Sequence, residues 1–103
     1  MHDVMTRQIS LHPKHILLDE IILSCLEPNI LSTRQEIMRQ PDVMLFNTRG
    51  DTIYLVEYKC SGIHRDKAIQ QLKDYKKMTQ YLFQDKRIKG LYVHEDFSTE
   101  HVF

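Results

Sequence analysis

Asp42, which follows Pro41, and the run Glu57-Tyr58-Lys59 are the residues of this chain whose types and spacing could do chemistry. Side chains alternate across a β-strand, so on a strand Glu57 and Lys59 share one face and Tyr58 takes the other. If the runs DVMLFN and TIYLVEYK form a hairpin around residues 48–51, Asn47 pairs with Thr52 and the same register brings Asp42 opposite Glu57. Opposed residues share a face with Cβ atoms about 4.5–5.5 Å apart, so two carboxylates would converge beside one lysine. Like charges placed this way repel unless a cation lies between them. Hard oxygen ligands favour Mg²⁺ or Mn²⁺, which keep several waters and pair with phosphate oxygens. Such an ion acidifies a bound water and stabilises charge building on phosphate, while the lysine orients the water or binds the scissile phosphate. The chemistry expected is hydrolysis of a phosphodiester.

The elements that must position these groups follow from pattern. Both hairpin runs are rich in β-branched and aromatic residues, and the second is apolar on both parities over Ile53 to Val56, as in a central strand covered on both faces. After Ser61-Gly62, residues 64–84 carry apolar groups at 68, 72, 75, 78 and 82, one helical stripe, with Lys67, Lys73, Lys76 and Lys77 off it. Gly90 then follows a Lys/Arg-rich helix end, and Leu91-Tyr92-Val93 reads as a last strand. Upstream, residues 15–27 (HILLDEIILSCLE) are Leu-rich, long for a strand and stopped by Pro28-Asn29, which predicts a helix with Glu20 at the edge of its apolar arc. Residues 31–39 are a weaker strand pattern ahead of Gln40-Pro41. The order expected is helix, strand, strand, strand, helix, strand.

Composition sets outer bounds. With 103 residues, 42% hydrophobic and 27% charged, the chain suits one α/β domain over 1–103 with a single modest core. No run approaches the roughly 18 apolar residues of a membrane span and the first fifteen lack a signal-peptide core, so a cytoplasmic protein is expected. Cys25 and Cys60 are too far apart for a zinc knuckle or a disulfide framework, and of six histidines only His12 and His15 are closely spaced. Net charge is zero but unevenly spread: residues 58–89 hold 9 Lys/Arg against 3 Asp/Glu, while residues 1–57 hold 5 against 8. A basic segment can bind a polyanion locally, although on charge alone a solvated helix face is the first reading. The tyrosines 54, 58, 81 and 92 fall on strands and helix stripes, where core packing is the first reading rather than base stacking.

A [DE]xK triplet arises by chance at roughly 0.7% of positions, so its weight here comes from its setting on a core strand, after Pro-Asp on the neighbouring strand and before a basic helix. In that setting Pro41-Asp42 and Glu57-Tyr58-Lys59 resemble the PD-(D/E)XK nuclease superfamily, and the element order is similar to its restriction-endonuclease-like αβββαβ core, a central mixed sheet flanked by helices, over about residues 15–94. Gln71-Leu-Lys-Asp-Tyr75 resembles the QxxxY element of the RecB-type exonuclease branch. The resemblance implies a Mg²⁺- or Mn²⁺-dependent deoxyribonuclease with Asp42 and Glu57 as metal ligands, the Tyr58 carbonyl as a further ligand, and Lys59 orienting water or stabilising charge. It also implies one more carboxylate from the first helix, with Glu20 the most similar position and Glu36 its rival. For DNA contact, His64, Arg65 and Lys67 begin the second helix beside exposed backbone N–H groups, and Gln71 and Tyr75 share one helical face. A homodimer with paired sites, or membership of a larger nuclease complex, suits so small a chain. The competing expectations are a noncatalytic DNA-binding or assembly module of the same fold, and an α/β interaction domain whose motif is coincidence.

Overall fold

Two β-rich runs separated by Thr48-Arg49-Gly50-Asp51 fold as the hairpin their pattern demands. A computed structural model of the chain describes residues 2–33, 37–59 and 65–103, and in it β4 (Val43–Asn47) and β5 (Thr52–Tyr58) pair antiparallel, with Val43 opposite Val56 and Phe46 opposite Ile53. That is the register expected, and one more step sets Asp42 against Glu57. Gly50 takes φ +74 in the connecting turn, a left-handed conformation that costs glycine nothing. Strand β5 is buried along both faces except for the partly exposed Tyr54, as its doubly apolar pattern requires.

Around this hairpin the chain builds a five-stranded mixed sheet in the order β1-β4-β5-β6-β7, with β1 Ile21–Leu26, β6 Arg87–Val93 and β7 Thr99–His101. A separate two-stranded sheet is formed by β2 (Ile30–Ser32) and β3 (Ile37–Arg39). Only β5 and β6 run parallel, and the crossover between them is α2 (Arg65–Leu82), which buries Ala68, Leu72, Tyr75 and Thr79 at steps of four and three. On this face they pack against Met44, Ile53, Leu55, Ile88 and Tyr92. Helix α1 (His2–Leu11) covers the other face, where Ile9 and Ile16 meet Val43, Leu45, Val56, Tyr58, Leu91 and Val93. Helices thus lie on both faces of a mixed sheet. Among the described residues no helix is long and apolar enough to cross a membrane.

The first half of the chain departs from the pattern reading. No helix spans residues 15–27. A short 3₁₀ turn at Pro13–His15 is followed by β1, which extends the sheet beyond β4. Six residues of Ile-Ile-Leu-Ser-Cys-Leu satisfy helical and strand periods about equally, and pairing with β4 decides the matter. Ser24 turns to the α1 face, its hydroxyl donating to Ser10 O at 2.8 Å, while Cys25 packs on the α2 face. The first helix is instead residues 2–11, upstream of the core expected at 15–94. Where one strand was expected over 31–39, the described residues give two, β2 and β3, paired antiparallel. Strand β6 begins at Arg87, so Gly90 lies inside a strand rather than after a helix. It is glycine because the Phe103 ring rests on it: an added Cβ would stand 2.5 Å from the ring carbons.

Candidate active site

The open end of the hairpin brings together Asp42, Glu57 and Lys59. Glu57 and Lys59 lie on the α2 face, as alternation from Ile53 and Leu55 dictates, with Lys59 Nζ 3.7 Å from Glu57 Oε2. The Asp42 backbone N–H donates to Glu57 Oε1 at 3.2 Å, and Asp42 Oδ2 accepts from the Tyr58 N–H at 2.7 Å. Each carboxylate therefore spends one oxygen on the partner strand's main chain and keeps the other, Asp42 Oδ1 or Glu57 Oε2, for further partners. The Glu57 side chain is 3% exposed and that of Asp42 13%. Burial, with the Asp42 charge added, pushes the Glu57 carboxyl up from 4.5 to about 7, against the opposing pull of Lys59. The site holds more negative charge than its own cation neutralises.

Helix α2 supplies the floor. The Tyr75 hydroxyl lies 3.3 Å from Gln40 O, to which it donates, and it also reaches the Glu57 carboxylate; burial and that carboxylate raise its pKa. Gln71 precedes Tyr75 by one turn, and its Oε1 is buried with no hydrogen-bond partner among the described residues. Of the two residues expected to contact nucleic acid, Tyr75 is buried, with its hydroxyl at Glu57, and Gln71 is half-buried.

Two other expected residues are placed elsewhere. Glu20 is exposed and sits at the turn end of the hairpin, where its carbonyl accepts from Thr48 N at 2.8 Å. Six strand steps, from Thr48 to Asp42, separate it from the site, about 20 Å at the usual rise, because the helix expected to carry it is a strand and its approach. Glu36, its rival, and His64 lie outside the described residues. Arg65 begins α2 but is held by Glu100 on β7, Nε donating to Oε2 at 3.1 Å and Nη2 to Oε1, so its fork is already occupied. Lys67 is exposed and has no ion pair among the described residues. Tyr58 enters the site through its N–H, while its ring packs on the α1 side.

Pattern reading missed His2. Helix α1 brings its first turn over the sheet end, with His2 Nε2 3.2 Å from Asp42 Oδ1 and the imidazole 5.8 Å from the Tyr58 ring, centroid to centroid. No motif spacing links residues 2 and 42. The available signal was Met5, Thr6 and Ile9, an inward stripe that would have marked residues 2–11 as a helix. His2 also gathers with Asp3 and Glu27, whose ligand atoms all lie within 4.8 Å of one another, but both carboxylates are exposed and the group is a surface cluster.

The donor set suits a hard or borderline divalent cation. Two anionic oxygens stand beside one lysine, and an imidazole stands on Asp42. Fold and site together define an α/β protein whose mixed sheet carries a carboxylate pair, Glu57 buried and Asp42 half-buried, with a lysine beside Glu57. Compared with known proteins, the chain matches no family model, no curated protein and no solved structure. Its own geometry therefore carries the functional argument.

Proposed function

We propose that the protein is a metal-dependent nuclease of the PD-(D/E)XK type, with a restriction-endonuclease-like core, that hydrolyses DNA phosphodiester bonds. The observation that carries this reading is a 3%-exposed Glu57 held opposite Asp42 with Lys59 at 3.7 Å. Facing carboxylates in a buried place are costly to a fold that has no use for them. With the small β2–β3 sheet and the final β7 set aside, the order α1, β1, β4, β5, α2, β6 is consistent with αβββαβ and supports the same reading, its first helix and strand being drawn from earlier residues than the pattern suggested.

Asp42 and Glu57 would hold Mg²⁺ or Mn²⁺ through Oδ1 and Oε2, and His2 stands where it can add an imidazole nitrogen to Asp42's side. Such an ion, when bound, supplies Lewis acidity and an acidified water. Lys59 keeps its ammonium at the Glu57 oxygen, where it can orient that water or neutralise a non-bridging phosphate oxygen. Tyr75 fixes the Glu57 carboxylate, and the Tyr58 N–H fixes that of Asp42, so neither ligand has to be ordered when substrate arrives.

The test is incubation of the protein with end-labelled single- and double-stranded DNA and RNA in EDTA, Mg²⁺ or Mn²⁺. Cleavage of DNA with either ion, absent in EDTA, is the expected result. Binding of DNA without cleavage in any condition would favour a noncatalytic module of the same fold, and neither binding nor cleavage would refute the proposal.

A further inference from the structure

The outward face of α2 carries a feature that the carboxylate site does not use. Lys73, Lys76, Lys77, Gln80, Tyr81 and Gln84 recur at helical spacing and line one shallow groove of about 640 Å³, turned away from the buried stripe Ala68, Leu72, Tyr75 and Thr79. Among the described residues four Lys or Arg side chains have a carboxylate partner: Arg49 faces Asp19 and Asp51, Lys59 faces Glu57, Arg65 faces Glu100 and Asp66, and Lys86 faces Asp85. The three groove lysines have none among the described residues. Of the acids of α2, Asp66 meets Arg65 and Asp74 accepts from Gln70 at 3.3 Å. Lys76 is steadied by the Phe103 ring, 4.7 Å from its Nζ, and the side chains of Lys73 and Lys77 are exposed.

At the end of this lysine row Tyr81 is 67% exposed, unlike the buried Tyr58, Tyr75 and Tyr92. Lysines attract a polyanion, and an exposed ring offers a face on which a base can stack. A paired base inside a duplex has no free face to offer. We propose that this groove binds single-stranded nucleic acid, with Lys73, Lys76 and Lys77 on successive phosphates and Tyr81 beneath an unpaired base. At the helical rise, Lys73 and Lys77 are about 6 Å apart along the axis and Lys73 and Tyr81 about 12 Å, a footprint of a few nucleotides. The groove lies about one helix diameter, roughly 10 Å, from the face on which Tyr75 meets Glu57, so it holds a strand at a distance from the scissile bond. Its bearing on turnover rests on the nuclease reading, but its binding does not.

The experiment is fluorescence anisotropy in EDTA with labelled 15-mers of thymidylate and of uridylate and a 15-base-pair DNA duplex, for wild type, Lys73→Glu/Lys77→Glu and Tyr81→Ala, each checked for folding by circular dichroism. Wild type should bind both single strands more tightly than the duplex. The double variant should lose at least tenfold in affinity, and its log K against log salt slope should shrink by about 1.4, two phosphates at about 0.7 each. Tyr81→Ala should lose at least about fivefold on single strands. An unchanged salt slope in the double variant, undiminished affinity in Tyr81→Ala, or tighter binding to the duplex would overturn the proposal. A wild-type protein that binds in EDTA yet never cleaves with Mn²⁺ would sink the nuclease reading while leaving the groove assignment standing.

Discussion

The two ends of the β4–β5 hairpin each set two carboxylates beside one Lys or Arg, with His2 added at the open end, and they treat the carboxylates in opposite ways. At the turn end, Asp19 Oδ2 accepts from the Tyr54 hydroxyl at 2.5 Å and from Asn47 Nδ2 at 3.1 Å, with Arg49 at 3.7 Å. Asp51 Oδ1 accepts from Asn47 Nδ2 at 2.7 Å and from the Thr52 hydroxyl at 2.9 Å. Hydrogen bonds from Tyr54 and from Asn47 hold Asp19 and Asp51, respectively, below the usual carboxylate range, while burial and Asp19 push the Tyr54 hydroxyl up to about 12. At the open end, Glu57 goes the other way. Charge count does not separate the two ends; burial and neutral donors do. At the turn end neutral donors meet both carboxylates, whereas at the open end burial and the facing Asp42 leave the Glu57 carboxyl raised to about 7.

The largest expected effect sets one end against the other. Asp42→Asn or Glu57→Gln should lower metal-dependent cleavage by about 10²-fold or more, since each removes an anionic ligand. Asp19→Asn should leave cleavage intact and instead destabilise the fold by about 1.5–3 kcal/mol, the range for hydrogen bonds to a charged group. Cleavage rates and urea unfolding of the same variants check both halves. Equal activity losses at the two ends would erase the distinction.

The pH dependence of stability should have opposite sign at the two ends. Glu57 has a folded pKa of about 7 against an ordinary 4.5, so folding favours its protonated form. Its contribution is fully present below about 4.5, is lost as pH rises through about 7, and amounts to at most about 3 kcal/mol. Asp19, depressed below its ordinary 3.8, contributes above that value and loses its contribution as pH falls. Unfolding of the metal-free protein between pH 4 and 8 should thus show a decline that Glu57→Gln flattens and Asp19→Asn does not.

Lys59 sharpens the comparison by separating chemistry from ligation. Lys59→Ala should lose turnover yet keep Mn²⁺ binding, read by single-turnover rates beside calorimetry. Lys59→Arg should rescue poorly, because a planar guanidinium does not replace a compact ammonium beside one phosphate oxygen. The smallest expected effect is that of Tyr75→Phe, which removes a hydroxyl that serves both Glu57 and Gln40 O. It should cost about 1 kcal/mol in unfolding free energy and move the stability decline to higher pH, since the hydroxyl favours the ionised Glu57.

Local pattern was most informative where strands are covered on both faces and turns are short. The register of Asp42 against Glu57 followed from a four-residue loop and period-two alternation, and α2 from its 3.6-residue stripe. Reading failed at β1, an edge strand exposed at Ile22 and Leu23, where neither period is enforced and pairing with β4 settles the conformation. That one error displaced Glu20 from the site and concealed α1, and with it His2. Tyr75 and Tyr81 show the same limit at side-chain scale: two tyrosines on one helix, one buried against a carboxylate and one largely in solvent, are distinguished only once the helix is docked.

The central claim is that the open end of the hairpin is a metal site and the turn end is not. Titration of Mn²⁺ into the apo protein at pH 8, followed by calorimetry, tests it most directly in wild type, Asp42→Asn, Glu57→Gln and Asp19→Asn. Wild type and Asp19→Asn should each bind Mn²⁺ saturably, while Asp42→Asn and Glu57→Gln lose the transition. Absence of binding in wild type, or equal binding in Glu57→Gln, would contradict the account.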